Sequence, residues 1–220
     1  SLVEATGINH FDQLNPNTDL VIIAISDQSI ADVIQKINHY LQQALIVHTS
    51  GSTSLEVLST VHERSGVFYP LQTFSHERAI DWAETPMFVE AVRHNDLELL
   101  ASLAHSLTPK VYQYSSQQRQ TLHMAAVFAC NFSNYCYDLS KQIVDEQQVD
   151  FSLLYPLILE TAQKATINNP KEMQTGPAMR GDENILKMHQ QLLEKNSGSD
   201  LVDVYKLLSE SIMKRHLHEK

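Results

Sequence analysis

The sequence is poor in glycine, in cysteine and in positive charge, and each shortage excludes something. There are six glycines in 220 residues, and none sits in the G-x-G-x-x-G turn that opens a doubly wound nucleotide-binding sheet. The two cysteines, Cys130 and Cys136, fall in one helical segment on nearly opposite faces, which disfavours a disulfide or a thiolate metal site and suits a reducing cytoplasm. Sixteen Lys and Arg against 26 Asp and Glu leave a formal charge of -10, which argues against a nucleic-acid or anionic-membrane partner. No apolar run approaches the roughly 20 residues a bilayer requires, and no signal peptide opens the chain. His10, His39, His48, His62, His76, His216 and His218 show no spacing supported by a cysteine or carboxylate cluster, so no metal is expected. What is left, 43% hydrophobic and 19% charged, is a globular cytoplasmic composition with enough chain for one large domain or two smaller ones.

The first half alternates short apolar runs with helical periods. Leu20 to Ile25 is continuous, apolar and β-branched, and reads as a central parallel strand closed by Ser26 and Asp27. Ser29 or Asp27 caps a helix in which Ile30, Val33, Ile34, Ile37 and Leu41 share a face. Ala44 to Val47 is a second strand, followed by the polar corner His48 to Ser52 and a short helix from Ser54 to Glu63; Gly66 to Pro70 is a third strand. Strand and helix alternating at this spacing imply parallel crossovers, so the three corners after these strands fall on one sheet edge, where open sheets bind ligands. On this reading His48, Ser50 and Gly51 line a crevice. The plainer alternative is that Ser52 or Thr53 caps a helix and His48 is a satisfied rim histidine. Met87 to Ala91 and Lys110 to Tyr114 read as further strands, with a helix from Asn95 to Ser106 between them.

From Ser115 onward only helices are expected, which puts a domain boundary near Tyr114: residues 1–114 form the α/β part and 115–220 the helical part. A long helix runs to about Val144 and buries Leu122, Ala125, Ala126, Ala129, Tyr137 and Ile143. Another starts at Asp150 or Ser152, carries Leu154, Leu157, Ile158 and Thr161, and ends near Pro170. Gln174 to Gly181 is a loop, Asp182 caps a helix to about Lys195, Asn196 to Ser199 is a break, and Asp200 caps the last helix. The apolar, Ala-rich helical faces suggest a homodimer. Because the first strand is apolar throughout, as if flanked on both sides, the chain is expected to lack an N-terminal portion of its domain, about 40 to 50 residues if it is one strand-helix-strand-helix block.

Four motifs carry a resemblance: His48-Thr49-Ser50-Gly51-Ser52, Pro70-Leu71-Gln72-Thr73-Phe74, His123 with Asn131, and Gln174 to Asp182. Together and in this order they resemble a bacterial family of uncharacterised oxidoreductases that joins a Rossmann-like NAD(P)-binding domain to an uncharacterised helical domain. That family is similar to pyrroline-5-carboxylate reductase, ketopantoate reductase and the deazaflavin-dependent NADP oxidoreductases. The resemblance implies a Rossmann-like parallel sheet followed by an all-α domain of the 6-phosphogluconate dehydrogenase C-terminal type, with dimerisation through the helices. It also implies NADP, or NAD, as cofactor. Ser26, Asp27, His48, Ser50, Gly51 and Ser52 would then touch its nicotinamide-ribose half, and Gln72 and Thr73 would face the substrate. Tyr69 departs from the family, which has a second histidine there.

Hydride transfer to a carbonyl or imine also needs a proton donor and a group that orients the substrate. His123 is the candidate acid and Asn131 the orienter; on an ideal α-helix they lie about 80° apart and flank one cleft without stacking. The alternative keeps them as hydrogen-bonded core or dimer-interface residues. In the loop before the last two helices, Gln174 and Arg180 are candidate substrate contacts, Arg180 as a bidentate carboxylate or phosphate clamp; alternatively Arg180 pairs with a local acid. The reading is therefore an NAD(P)-dependent oxidoreductase acting on a small-molecule carbonyl, imine or hydroxy acid in an interdomain cleft. The competing reading is a non-catalytic ligand-binding or dimerisation scaffold of the same architecture, without the dinucleotide loop.

Overall fold

The computed structural model describes residues 5–75, 78–196 and 199–217, and divides into two compact units, Ser1–Asn131 and Phe132–Lys220. The break expected at Asn196 to Ser199 has its centre, Ser197 and Gly198, outside the described residues, as do His76 and the C-terminal His218 to Lys220.

In the first unit, strands β1 (Leu20–Ile23), β2 (Leu45–His48), β3 (Ser65–Pro70), β4 (Met87–Ala91) and β5 (Val111–Gln113) form one sheet in that spatial order. β1, β2 and β3 are mutually parallel, and α1 (Asp27–Ile37) connects the first two. β4 returns antiparallel to β3, and β5 is parallel to β4. A parallel pair needs a crossover of a dozen or more residues, usually helical, whereas the described part of the β3–β4 connection holds no helix, so the sheet is mostly rather than wholly parallel. β2 is apolar from Leu45 to Val47 because both its faces are covered. Ile46 joins Ile30, Ile34, Ile37, Leu41 and Leu58 on one side; Leu45 and Val47 join Phe68, Met87, Val89, Leu100 and Ala104 on the other, with α3 (His94–His105) supplying the last two.

β1, read from the sequence as a central strand, lies at the edge of the sheet. It pairs only with β2 among the described residues, and Ile22 and Ile25 are exposed. The helix expected up to Glu63 is a single turn, α2 (Glu56–Ser59).

The helix α4 (Ser116–Ala126) packs within the first compact unit, which runs to Asn131. Its start is a capping box: Ser115 Oγ accepts the Gln118 N–H, and Gln118 Oε1 accepts the Ser115 N–H at 3.0 Å. It is followed by a π-helical turn, Val127–Phe132, and by α5 (Ser133–Glu146), where one continuous α-helix was expected. Of the positions expected to be buried along it, Ala125, Ala129 and Ile143 are exposed, and Arg119 is the buried residue of α4.

In the second unit α5 is joined by a 3-10 turn (Phe151–Leu154), α6 (Tyr155–Ile167), α7 (Pro177–Arg180), α8 (Glu183–Asn196) and α9 (Ser199–Leu217). The loop expected over Gln174 to Gly181 thus contains one helical turn, opened by Pro177 and closed by Gly181 in the left-handed conformation, φ 69°. Leu193, Leu201 and Val202 form its core with Leu139 and Tyr205 against them. Leu157, expected on a buried face, is 63% exposed. No helix among the described residues is long and apolar enough to cross a membrane.

The corner after β2 is held from α4 by Arg119, whose side chain is 1% exposed. Its Nη1 donates to the carbonyls of Ser50 (2.9 Å), Gly51 (3.1 Å) and Thr53 (2.8 Å), and its Nη2 to Glu90 Oε2 (3.3 Å) and Ser116 Oγ (3.0 Å). Glu90, on β4, also accepts the Ser116 N–H at 2.9 Å and its hydroxyl at 2.8 Å, and Ser116 Oγ accepts the Leu55 N–H at 2.9 Å. One guanidinium therefore satisfies three buried carbonyls and a carboxylate at once. Inside the same corner His48 is fully buried; Nδ1 accepts the Ser50 N–H at 3.1 Å, and Nε2 has no partner among the described residues. Burial, reinforced by the Arg119 charge, lowers its pKa from 6.5 to about 4, against weaker opposing pulls from the Ser54 backbone and Asp27.

Two outcomes follow for stability. Arg119→Met leaves the corner carbonyls without donors and Glu90 without its cation and is expected to cost about 3 to 5 kcal/mol in urea denaturation, with Arg119→Lys intermediate because an ammonium lacks the planar fork. Since His48 is a base whose folded pKa is depressed, the unfolded chain takes the proton first. Its contribution is complete above pH 6.5, falls as pH drops toward 4, and is gone below, with the 6.5-to-4 shift worth roughly 3 kcal/mol. Melting of wild type against His48→Asn between pH 7 and 4 should show a steeper acid loss in wild type.

Candidate functional site

Two polar features stand at the carboxyl edge of the parallel strands. The first joins the corners after β1 and β2. Ser50 Oγ accepts the N–H groups of Ser52 (3.1 Å) and Thr53 (2.9 Å) and donates to Thr53 Oγ1 at 2.9 Å, so it is a buried organiser of the turn. Ser52 turns outward, and its hydroxyl donates to Asp27 Oδ2 on the first turn of α1. Ser26 is the exposed N-cap of that helix, its Oγ 3.0 Å from Ser29 Oγ. Ser26, Asp27 and Ser52 are thus the solvent-facing members. His48 and Ser50, expected to line the crevice, are buried beneath it, because a strand covered on both faces carries its last side chain into the interior. Gly51 is buried as well: a Cβ there would stand 2.6 Å from His123 Nδ1 and 2.7 Å from Tyr69 Cζ.

The second feature is a cavity of about 450 Å³ lined by Tyr69, Gln72, Thr73, His123 and Asn131, with Leu71, Leu122, Ala126 and Val127 among its apolar walls. Tyr69 comes from the end of β3, Gln72 and Thr73 from the segment after it, and His123 from α4; Asn131 comes from the π-helical turn. That turn explains the pairing. A π-turn carries an extra residue relative to an α-turn, so each residue advances less around the axis, and Asn131 is rotated back toward the face of His123 instead of standing well round from it. Tyr69 Oη lies 3.3 Å from His123 Nδ1, and burial raises the phenol pKa while the Arg119 charge acts the other way. Gln72 Oε1 accepts the Thr73 N–H at 2.8 Å. A larger hollow of about 540 Å³ beside β1 is lined by Ile8, Phe11, Leu14 and Val21 and offers little polar chemistry beyond Asn9 and His10.

The structure therefore brings His123, Asn131, Gln72 and Thr73 to one cavity, and Ser26, Asp27 and Ser52 to one corner. Gln174 and Arg180 belong to the second unit. There Gln174 Nε2 donates to the Thr175 carbonyl at 3.0 Å, and Arg180 is exposed on α7 with no ion pair among the described residues. Two residues that sequence reasoning passed over, and one that it set aside, are central here. Arg119 and Glu90 hold the corner, and Tyr69 contacts His123 although it replaces the family's histidine. A carboxylate inside the apolar run Met87 to Ala91 was the available sign that a buried cation lay nearby.

Against the dinucleotide implied by the sequence, the exposed hydroxyls and carboxylate of Ser26, Asp27 and Ser52 suit the hydroxyls of a ribose. The corner offers no pyrophosphate nest, since the amides of residues 52 and 53 are spent on Ser50 Oγ. The residues present fit the nicotinamide-ribose end alone.

The chain matches known proteins over nearly its whole length. A crystal structure from Bacteroides fragilis, described as that of a candidate NADP oxidoreductase, is 38% identical and covers 94% of this chain and 80% of its own, with a TM-score of 0.87. A Thermotoga maritima protein of known structure is 23% identical over 90% of this chain and 79% of its own, TM-score 0.74. The reductive aminase from Aspergillus terreus, in complex with NADPH4, cyclohexanone and allyl amine, shares the fold at 12% identity, covering 90% of this chain and 75% of its own, TM-score 0.60. No protein of curated description matches the sequence. The family model of DUF2520, a domain of unknown function, matches residues 85–212. With more than half its length under that model, and with the Rossmann-like sheet and helical domain of these neighbours, the chain belongs to the DUF2520 family.

Proposed function

We propose that the protein is an NADP-dependent oxidoreductase that transfers a hydride to or from a small-molecule carbonyl, imine or hydroxy acid. The observation that carries this reading is the convergence of His123 and Asn131 on one cavity with Gln72 and Thr73. The Bacteroides fragilis relative, described as a candidate NADP oxidoreductase, supports the same chemistry. Bound NADPH supplies the hydride. Asp27 accepts, and Ser52 donates or accepts, hydrogen bonds from its nicotinamide ribose. His123 gives a proton to the substrate heteroatom in reduction and takes it back in oxidation. The Asn131 amide orients the same heteroatom, while the apolar wall of Leu122, Ala126 and Val127 keeps water from the reacting carbon. The two free thiols, Cys130 and Cys136, accord with a cytoplasmic setting.

We also infer a homodimer formed through the helical unit. Leu153, Leu157, Leu159 and Ile167 are 62 to 81% exposed, more apolar surface on one short stretch than a monomer ordinarily leaves in water.

NADPH titrated into the protein, followed by its fluorescence, should bind, and Asp27→Ala should weaken binding at least tenfold. His123→Gln should bind NADPH as wild type does, while NADPH oxidation with a panel of ketones and cyclic imines falls by roughly 10² to 10⁴. Absence of NADPH and NADH binding overturns the enzyme reading and leaves a ligand-binding scaffold. Light scattering should give a dimer, and Leu157→Glu with Leu159→Glu a monomer.

A further inference from the structure

Tyr69 and His123 meet because residue 51 has no side chain. The phenol oxygen and imidazole Nδ1 are 3.3 Å apart, with the rings edge to face at 72°. A Cβ on residue 51 would lie 2.6 Å from that nitrogen and 2.8 Å from that oxygen, so even an alanine would wedge the pair apart.

The hydrogen bond between them has a direction. Tyr69 is 9% exposed, and its hydroxyl has no other partner among the described residues. Turned away from Nδ1, the buried O–H would forgo its one bond, whereas donation to Nδ1 satisfies both groups. A neutral imidazole has a single proton, so an accepting Nδ1 leaves that proton on Nε2. Nε2 makes no hydrogen bond among the described residues, and the ring lines the cavity.

We propose that Tyr69 is a positioning residue that, through the close approach allowed by Gly51, holds His123 as its Nε2–H tautomer and replaces the lost proton from the Nδ1 side. The inference rests on His123 being the proton donor of the reaction proposed above. In reduction, hydride from the nicotinamide adds to the substrate carbon and the π electrons of the C=O or C=N bond move to the heteroatom. The heteroatom takes the Nε2 proton as Nδ1 takes the phenolic proton; a solvent proton then enters at Nε2 and Nδ1 returns its own to the phenolate, which restores both the Nε2–H tautomer and the phenol. Burial keeps the phenol protonated and ready at neutral pH, and the Arg119 charge favours the phenolate once formed.

Long-range ¹H–¹⁵N correlation spectra of histidine-labelled protein read the tautomer with neither cofactor nor substrate, His123 being assigned by its loss in His123→Gln. Wild type should show neutral His123 as a single Nε2–H form, and Tyr69→Phe and Gly51→Ala should each lose that preference. A wild-type Nδ1–H form, or a preference that survives Tyr69→Phe, overturns the proposal. Tyr69→Phe removes one oxygen and keeps the ring, so it decides the matter even if Gly51→Ala does not fold. Because no cofactor is present, failure of NADPH binding would overturn the enzyme reading and leave this result intact.

Discussion

The structure of the first unit depends on one buried guanidinium. Arg119 sits where β2 ends, where a tight corner leaves the carbonyls of Ser50, Gly51 and Thr53 turned away from water. Burying three such carbonyls without donors is costly. A lysine would bring the charge without the planar array of donors; arginine meets the carbonyls, Ser116 and Glu90 together. The corner, α4 and β4 are thereby tied into one piece, and the His123 side chain, one turn further along α4, arrives at a set place.

From that tie the rest of the site follows. With the corner pressed against α4, Gly51 faces His123 and Tyr69, and only glycine leaves room for them. His48 is the cost of the same compactness: a ring shut inside beside a cation, where it stays neutral. The π-turn over Val127–Phe132 then brings Asn131 to the cavity that His123 lines. Stability and the proposed chemistry thus share their residues, and changes to the corner and changes to the cavity will not be independent.

Much of this was legible in the sequence. The strands at Ala44 to Val47, Gly66 to Pro70 and Met87 to Ala91 appear within a residue of expectation, since apolar period reports local geometry directly, and the helix bearing Ile30, Ile34 and Ile37 appears too but ends four residues short of Leu41. The corner motifs were visible too, as was their shared sheet edge. Which members of a motif face solvent was not. His48 and Ser50 look like site residues in the string His-Thr-Ser-Gly-Ser, yet they are the buried frame on which Ser52 is displayed. The burial of Arg119 was hidden because an arginine on a polar helix start reads as a surface residue; only Glu90, distant in sequence, hinted otherwise.

By itself the sequence determined the order of strands and helices, the change from α/β to all-helical and the residue types available for proton transfer, all properties of windows of ten or twenty residues. The tertiary structure decided the antiparallel return of β4, the edge position of β1, the burial of His48 and Arg119, and the contacts among Gly51, Tyr69 and His123. These depend on groups far apart along the chain, 69 residues in the bond from Arg119 to Ser50. Only packing in three dimensions sets such distances, and proton transfer between two side chains depends on distances of that kind.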